Sequence, residues 1–220
     1  MSLKYGIIGA SGRMGKEIEN LMNESGHICV FKYDENGEWK TESPEVIIDF
    51  SLPQVFEQTL FYMDKFKVPL VMGTTGLNNQ QTNALKELGK ELPIVHSSNF
   101  SVGIQMLIRC AEMLKENLPD WDIEISETHH RFKKDKPSGT AIMIKNALGK
   151  EINISSLRLG NVAGDHTVSF GGLGEVLSVT HSATSRRTFS EGVLKSVLFV
   201  VNKKNGYYSF KEVLFYNKGK

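Results

Sequence analysis

The stretch ETHHRFKKDKPSGTA, Glu127 to Ala141, places two adjacent histidines, four basic residues and a Ser-Gly-Thr turn within fifteen positions. Neighbouring residues of a strand point to opposite faces, so His129 and His130 do not readily ligate one metal. No cysteine or acidic pair stands around them at zinc spacing, and no metal site is expected. A charge run by itself reads as a solvated basic loop. The segment PSGTA changes that reading because it opens a helical pattern, and a helix N-terminus offers free N–H groups and a partial positive charge. Ser138, Gly139 and Thr140 would then present hydroxyls and amides to an anion. Lys133, Lys134 and the histidines add charge beside it, an environment that suits a small dicarboxylate.

A second constellation lies near the start of the chain. Gly6, Gly9, Gly12 and Gly15 recur every third residue, and GASGRMG sits between a short apolar run and a helical pattern. A dinucleotide-binding turn needs this context: glycines let the backbone turn sharply and approach a pyrophosphate at a helix N-terminus. The spacing is G-x-x-G-x-x-G rather than G-x-G-x-x-G, and a glycine-rich turn alone can be only a tight strand-to-helix joint. Asp34 closes the next apolar run, 19 residues beyond Gly15, where it can accept hydrogen bonds from an adenine ribose. Asp34 followed by Glu35 leans towards NADH, since two acids repel a 2′-phosphate. Lys32 would lie on the same strand face as Asp34 and partly offset that repulsion. The loops GTTG (Gly73 to Gly76) and SSNF (Ser97 to Phe100) follow two later apolar runs. Each alone is ordinary turn chemistry, but both fall at the edge of an α/β sheet where ligands bind, and their small residues can lie against a nicotinamide.

The elements that must position these residues are legible from periodicity. KYGIIGA, HICVFKYD, PEVIIDFS, VPLVMGTTG and LPIVHSSNF are continuous apolar runs of the kind found in parallel strands buried on both faces. Between them RMGKEIENLMNESG, VFEQTLFYMDKFK and NNQQTNALKELGKE read as helices. This half is therefore expected to be a Rossmann-like, doubly wound parallel sheet. After Phe100 the pattern changes to a long amphipathic helix (SVGIQMLIRCAEMLKENL), an alternating strand (WDIEISETHH), another helix (GTAIMIKNALGKEI) and a glycine-rich β segment from Leu157. Those features predict a second α+β domain with a mainly antiparallel sheet. The apolar helix SEGVLKSVLFVVNKK can return to the first. The expected division is residues 1–100, completed by 188–220, for dinucleotide binding, and 101–187 for substrate binding and oligomerisation.

Composition bounds the rest. The chain has 220 residues, 40% of them hydrophobic, enough for a real core. Its 26 basic and 25 acidic residues leave a net charge of +1, so no bulk attraction to nucleic acid or membrane is expected and any anion site must be built locally. Two isolated cysteines, Cys29 and Cys110, fit a reducing compartment. With no apolar run long enough to span a bilayer and no signal-like leader, a cytoplasmic location is expected.

The segment ETHHRFKKDKPSGTA resembles the signature E-x-H-H-x-x-K-x-D-x-P-S-G-T-A of the dihydrodipicolinate reductase family. GIIGASGRMG, IDFS, MGTTG and NFSVG resemble that family's other landmarks in the same order, so the resemblance spans nearly the whole chain. The stretch between FKYDENGE and PEVIIDFS is shorter than in many members, which bears on cofactor preference. The resemblance implies hydride transfer from NADH or NADPH to a cyclic imine dicarboxylate on the diaminopimelate and lysine pathway, in a homotetramer. It implies catalytic roles for His129 and Lys133, and substrate binding by His130, Ser138, Gly139 and Thr140. On the cofactor side it implies contacts from Gly9, Ala10, Ser11, Gly12, Arg13, Met14, Asp34, Gly73, Thr74, Thr75, Ser97, Ser98, Asn99 and Phe100. Two alternatives stand beside it. One is another Rossmann-type reductase of a small dicarboxylate; the other is an inactive NAD sensor, which would have no use for the His-His-x-x-Lys and Ser-Gly-Thr set.

Overall fold

The computed structural model describes residues 2–149 and 151–216. Two compact units emerge: the chain up to Phe100 together with the segment from Arg187 onward, and Ser101–Arg186. The first begins β1 (Lys4–Ile8), α1 (Arg13–Glu24), β2 (Ile28–Asp34), β3 (Gly37–Lys40) and β4 (Val46–Asp49). A 3-10 turn at Pro53–Val55 then leads to α2 (Phe56–Phe66), β5 (Leu70–Met72), α3 (Asn79–Leu88) and β6 (Pro93–His96). The apolar runs are buried on both faces, as parallel strands require: Val46, Ile47, Ile48, Leu70, Val71 and Met72 are all fully buried. Asn78 and Gln81 form a reciprocal capping box at the start of α3.

The second unit runs α4 (Val102–Asn117), β7 (Asp122–His129), α5 (Gly139–Leu148), β8 (Asn153–Arg158), β9 (Asp165–Gly171) and β10 (Val176–Ser182). Its sheet has the order β10-β9-β7-β8, with β9 antiparallel to both β7 and β10, and β8 parallel to β7. One face carries Ile125, Val168 and Phe170 against Ile104, Leu107 and Ile108 of α4 and Ala141 and Ile144 of α5. The other face is rich in hydroxyls, with Thr167 bonded across the ladder to Thr180 and Ser169 to Ser178. A core face and a solvated face are what strand alternation dictates.

The chain then adds α6 (Arg187–Val200), β11 (Gly206–Tyr208) and α7 (Phe210–Phe215) to the first unit. Helix α6 packs on α1 and on β5 and β6, so its apolar face is buried as its composition demands. Gly192 lets it approach closely, because a side chain there would strike the Phe100 carbonyl. Strand β11 extends the parallel sheet, giving the order β11-β6-β5-β4-β1-β2-β3. Only β3 runs antiparallel, hairpinned onto β2 through Glu35 and Asn36. Strand β1 lies between β2 and β4, so the chain leaves it in opposite directions and opens a crevice at its carboxyl end.

Candidate active site

At that crevice the loop after β1 faces the loop after β4 across a cleft of about 410 Å³, lined by Gly9, Ser11, Gly12, Tyr33, Asp34, Glu35, Phe50, Ser51, Leu52 and Val55. Helix α1 starts here with Gly12 as its cap, without a side-chain bond to its first turn and without an acid in that turn. Its N-terminal amides are thus left for an anion such as a pyrophosphate. A side chain at Gly15 would collide with the Gly9 carbonyl, so the third glycine of the turn is needed for close packing of helix on strand. Asp34 is at the cleft wall and accepts from the Asn36 amide at 2.8 Å.

Behind the cleft, fully buried Asp49 ties the loops together. Its Oδ1 accepts from the Ser51 amide (2.8 Å), the Ser51 hydroxyl (2.6 Å) and Thr74 (3.0 Å), and its Oδ2 from Thr59 (2.7 Å). Burial pushes this carboxyl above the usual range, against the four donors that favour its charge. Farther along the sheet edge, the Ser97 hydroxyl and Asn99 backbone bond each other, and Phe100 is sealed between Phe50 and Phe210.

The second constellation is built on β7, where Ile125, Glu127 and His129 share the buried face. Glu127 is 1% exposed, and its oxygens accept from both terminal nitrogens of Arg158 at 3.0 and 2.9 Å and from the Ser138 amide at 3.3 Å. The same carboxylate bonds Nδ1 of His129. Burial alone would raise the Glu127 carboxyl; Arg158 foremost, with Ser156 and His129, overcomes it and holds the group down to about 2. Burial lowers His129, and the neighbouring Glu127 only partly restores it. His129 is therefore neutral at pH 7, with Nδ1–H donated to Glu127. His166 of β9 meets the His129 ring edge-on at 5.1 Å and is pushed down to about 3, by burial first and by His129 second.

Lys133 lies just outside this cluster, its Nζ 2.8 Å from Asp135. Ser138 caps α5: its hydroxyl accepts from the Ala141 amide at 3.2 Å and faces His166 Nε2 at 3.4 Å. Thr140, in the first turn of α5, and His130, just after β7, are both buried. Glu127 thus joins His129 to the helix N-terminus formed by Ser138, Gly139 and Thr140, and Asp135 joins Lys133 to the same turn. A roomier hollow of about 680 Å³, between Lys115, Trp121 and Glu151 at the start of β7, is bordered by exposed charges and has no such convergence.

The profiles of dihydrodipicolinate reductase match this chain over residues 3–100 for the N-terminus and 103–214 for the C-terminus. The chain belongs to the dihydrodipicolinate reductase family. It is 44% identical over 212 residues to the 4-hydroxy-tetrahydrodipicolinate reductase of Thermosipho africanus, covering 96% of this chain and 98% of that protein. It is 36% identical to the Helicobacter hepaticus protein of the same name, covering 96% and 99%. Its structure resembles a dipicolinate-bound dihydrodipicolinate reductase from Paenisporosarcina sp. TG-14, with a TM-score of 0.76, 25% identity and coverage of 96% and 99%.

Strand register alone does not describe the surroundings of two of the lysines. Lys32 makes its ion pair with Glu19 of α1 at 2.5 Å, with Asp34 a further stabilising charge beside it, and it does not line the cleft. Lys133 and Lys134 lie beyond β7, which ends at His129, and the Lys133 amide turns back to the His130 carbonyl at 3.1 Å. Lys134 is nonetheless exposed, whereas Lys133 is partly covered. Of the expected cofactor residues, Gly9, Ser11, Gly12 and Asp34 line the cleft, and Ala10 is buried at its floor turn. Arg13 and Met14 open α1, Gly73 and Thr75 follow β5, and Ser98 lies between Ser97 and Asn99 beyond β6. Thr74 and Phe100 are buried and build the loops from behind. Tyr33, Phe50 to Leu52 and Val55 in the cleft, and Glu127, Arg158 and His166 in the second cluster, escaped the sequence reading. Glu127 alone carried a local signal, as the third member of the alternating series Ile123, Ile125, Glu127, His129.

Proposed function

We infer that this chain transfers a hydride from NADH or NADPH to 4-hydroxy-tetrahydrodipicolinate, giving tetrahydrodipicolinate and water, in diaminopimelate and lysine biosynthesis. The observation that carries this is its whole-length similarity to reductases of that name. The bound ligand of the Paenisporosarcina relative, a planar ring dicarboxylate, is of the chemical class that the basic cluster around α5 suits.

The first unit serves as the dinucleotide domain, and the uncapped start of α1 is suited to the pyrophosphate, with Asp34 receiving the adenine ribose. The reduced nicotinamide supplies the hydride. In the second unit, Ser138, Gly139, Thr140 and His130 hold the substrate carboxylates at the start of α5. As hydride reaches the conjugated ring, electron density moves to its nitrogen, and a positive N–H donor there stabilises the transition state. Lys133, steadied by Asp135, holds an ammonium beside that position, and His129 relays the proton through its ring. An inactive NAD sensor would have no use for this set. Cofactor use leans to NADH: Asp34 and Glu35 line the cleft, Lys32 is held by Glu19, and no basic residue lies among the cleft's lining.

The protein acts in the cytoplasm as a homotetramer formed through the second unit. The hydroxyl-rich outer face of its sheet, with Leu157 and Val176 exposed on β8 and β10, supports that pairing. Among the described residues no helix is long and apolar enough to cross a membrane. Light scattering reporting a stable monomer would overturn the assembly.

A coupled assay, supplying enzymatically made substrate and following nicotinamide absorbance, tests the activity. Oxidation of both cofactors is expected, with the higher kcat/KM for NADH, and no oxidation of either would overturn the reading. Lys133→Ala and His129→Gln should each lower kcat by about a hundredfold, the scale of general acid catalysis, with NADH affinity by fluorescence unchanged.

A further inference from the structure

We propose that Glu127, clamped by Arg158, is a positioning residue that fixes the tautomer and orientation of His129, presenting its Nε2 to the reacting ring. This rests on the proton-handling role given above to His129. Sheet register brings the parts together. His129 pairs with Arg158 across the parallel β7–β8 ladder, and Glu127 pairs with His166 across the antiparallel β7–β9 ladder. Glu127 and His129, two residues apart, therefore lie on one face with the guanidinium beside them.

Three observations separate this arrangement from an incidental buried ion pair. Arg158 grips both carboxylate oxygens, and Ser138 adds a backbone donor, so the carboxylate has little freedom to turn. It is ionised down to acid pH and so only accepts, which makes His129 Nδ1 the donor. The other ring nitrogen, Nε2, faces Gly164, whose φ is +157° and where a Cβ would lie only 3.0 Å away. A glycine at that place keeps the working edge of the imidazole clear. The Ser138 contact also links the carboxylate to the first residue of the proposed substrate-binding turn, so one group sets both the histidine and the helix start.

An orienting carboxylate of this kind also stabilises the imidazolium formed when Nε2 takes up a proton, as in the hydrolase triad. The charged and titratable groups around His129 are Glu127 on its own strand, Arg158 on β8, His166 on β9, and Lys133, paired with Asp135, in the loop that follows. Of these only Glu127 raises the histidine.

The test is a double-mutant cycle with Glu127→Gln and His129→Asn, read by kcat, KM and the pH dependence of kcat in the whole enzyme. Glu127→Gln should lower kcat about tenfold or more, and by no more than His129→Asn does. KM should change little. The limb on which kcat falls with falling pH should move to lower pH, since the group that raises His129 is gone. In the His129→Asn background the same change should have almost no further effect, because its route of action is absent. A purely structural role would lower kcat equally in both backgrounds and leave the pH limb in place, and that result overturns the proposal. Full activity of His129→Asn would sink the reading beneath it as well, whereas an impaired His129→Asn with additive effects would sink this inference alone. Should Glu127→Gln fold poorly, Arg158→Lys carries the same cycle: it keeps the charge and loses the two-pronged grip.

Discussion

Replacing Asp49 separates hydrogen bonding from charge in the wall behind the cleft at the carboxyl end of β1. Its carboxylate takes four hydrogen bonds, from Ser51 twice, Thr59 and Thr74, within 2.6–3.0 Å, and it is wholly buried. Burial pushes the group up, so the folded chain binds a proton here more readily than the unfolded one, and the negative charge opposes folding at neutral pH. In Asp49→Asn the amide oxygen can keep the three bonds made by Oδ1. The new NH2 faces Thr59, whose hydroxyl can turn its hydrogen to the Val55 carbonyl 3.4 Å away and accept instead. One weakened bond at about 1 kcal/mol is set against relief from a buried charge, so the net change should stay within about 1 kcal/mol.

Asp49→Ala is a different case. It strands the Thr74 hydroxyl and the Ser51 amide at roughly 1–3 kcal/mol each and leaves a small cavity, so about 3–5 kcal/mol should be lost. It should also loosen Ser51 and Leu52, which line the cleft. If re-ordering them on binding costs about 1.4 kcal/mol, the NADH Kd rises about tenfold. Urea denaturation at fixed protomer concentration and NADH fluorescence titration measure the two effects. An Asn variant as damaged as the Ala variant would show that the charge itself organises the loops, and the reasoning from bond counting would fail.

If the Thr140 hydroxyl binds a substrate carboxylate as proposed, equally in ground and transition states, Thr140→Val should raise KM more than it lowers kcat; the opposite split would refute that assignment. Lys134→Ala should be nearly silent in the same steady-state assay, because Lys134 is exposed, and a loss matching that of Lys133→Ala would turn the basic run into a diffuse patch. His166 is held neutral when folded but takes a proton below about pH 6.5 when unfolded, so its share of stability is lost as pH falls from 6.5 towards about 3. His166→Asn should flatten the stability slope between pH 6.5 and 5 by up to about 1.4 kcal/mol per pH unit. An unchanged slope in urea melts would mean that His166 is protonated in the native state.

What the sequence made legible follows from the range of the forces involved. The parallel strands and the helices between them announce themselves because burial on two faces, or on one stripe, must be written locally in the chain. Helix α6 was visible for the same reason. The hairpin strand β3 is fully exposed, so no burial pattern marks it. Its one signal is the Asn36-Gly37 pair after Asp34, with Gly37 at a φ of +98°, a turn cue easily passed over in a short loop. Strand β11 has three residues and relies on pairing with β6, more than a hundred positions earlier.

The site divides along the same line. His129, Lys133 and the Ser-Gly-Thr turn are within a dozen residues, and their chemistry can be seen in one glance along the chain. Arg158 looks like any surface arginine until β8 is laid parallel to β7, and that pairing depends on the intervening helix α5 crossing over the sheet. Lys32 is the converse case: strand alternation indicated its face, shared with Asp34, but not that Glu19 on the adjacent helix would take its ion pair. Glu127 lies between these cases. Alternation aims it at an apolar core, where an isolated carboxylate would be prohibitive, so the sequence itself states that a cation must arrive from elsewhere. A buried acid two residues from a histidine is thus a question the sequence poses, and the register of a distant strand supplies the answer.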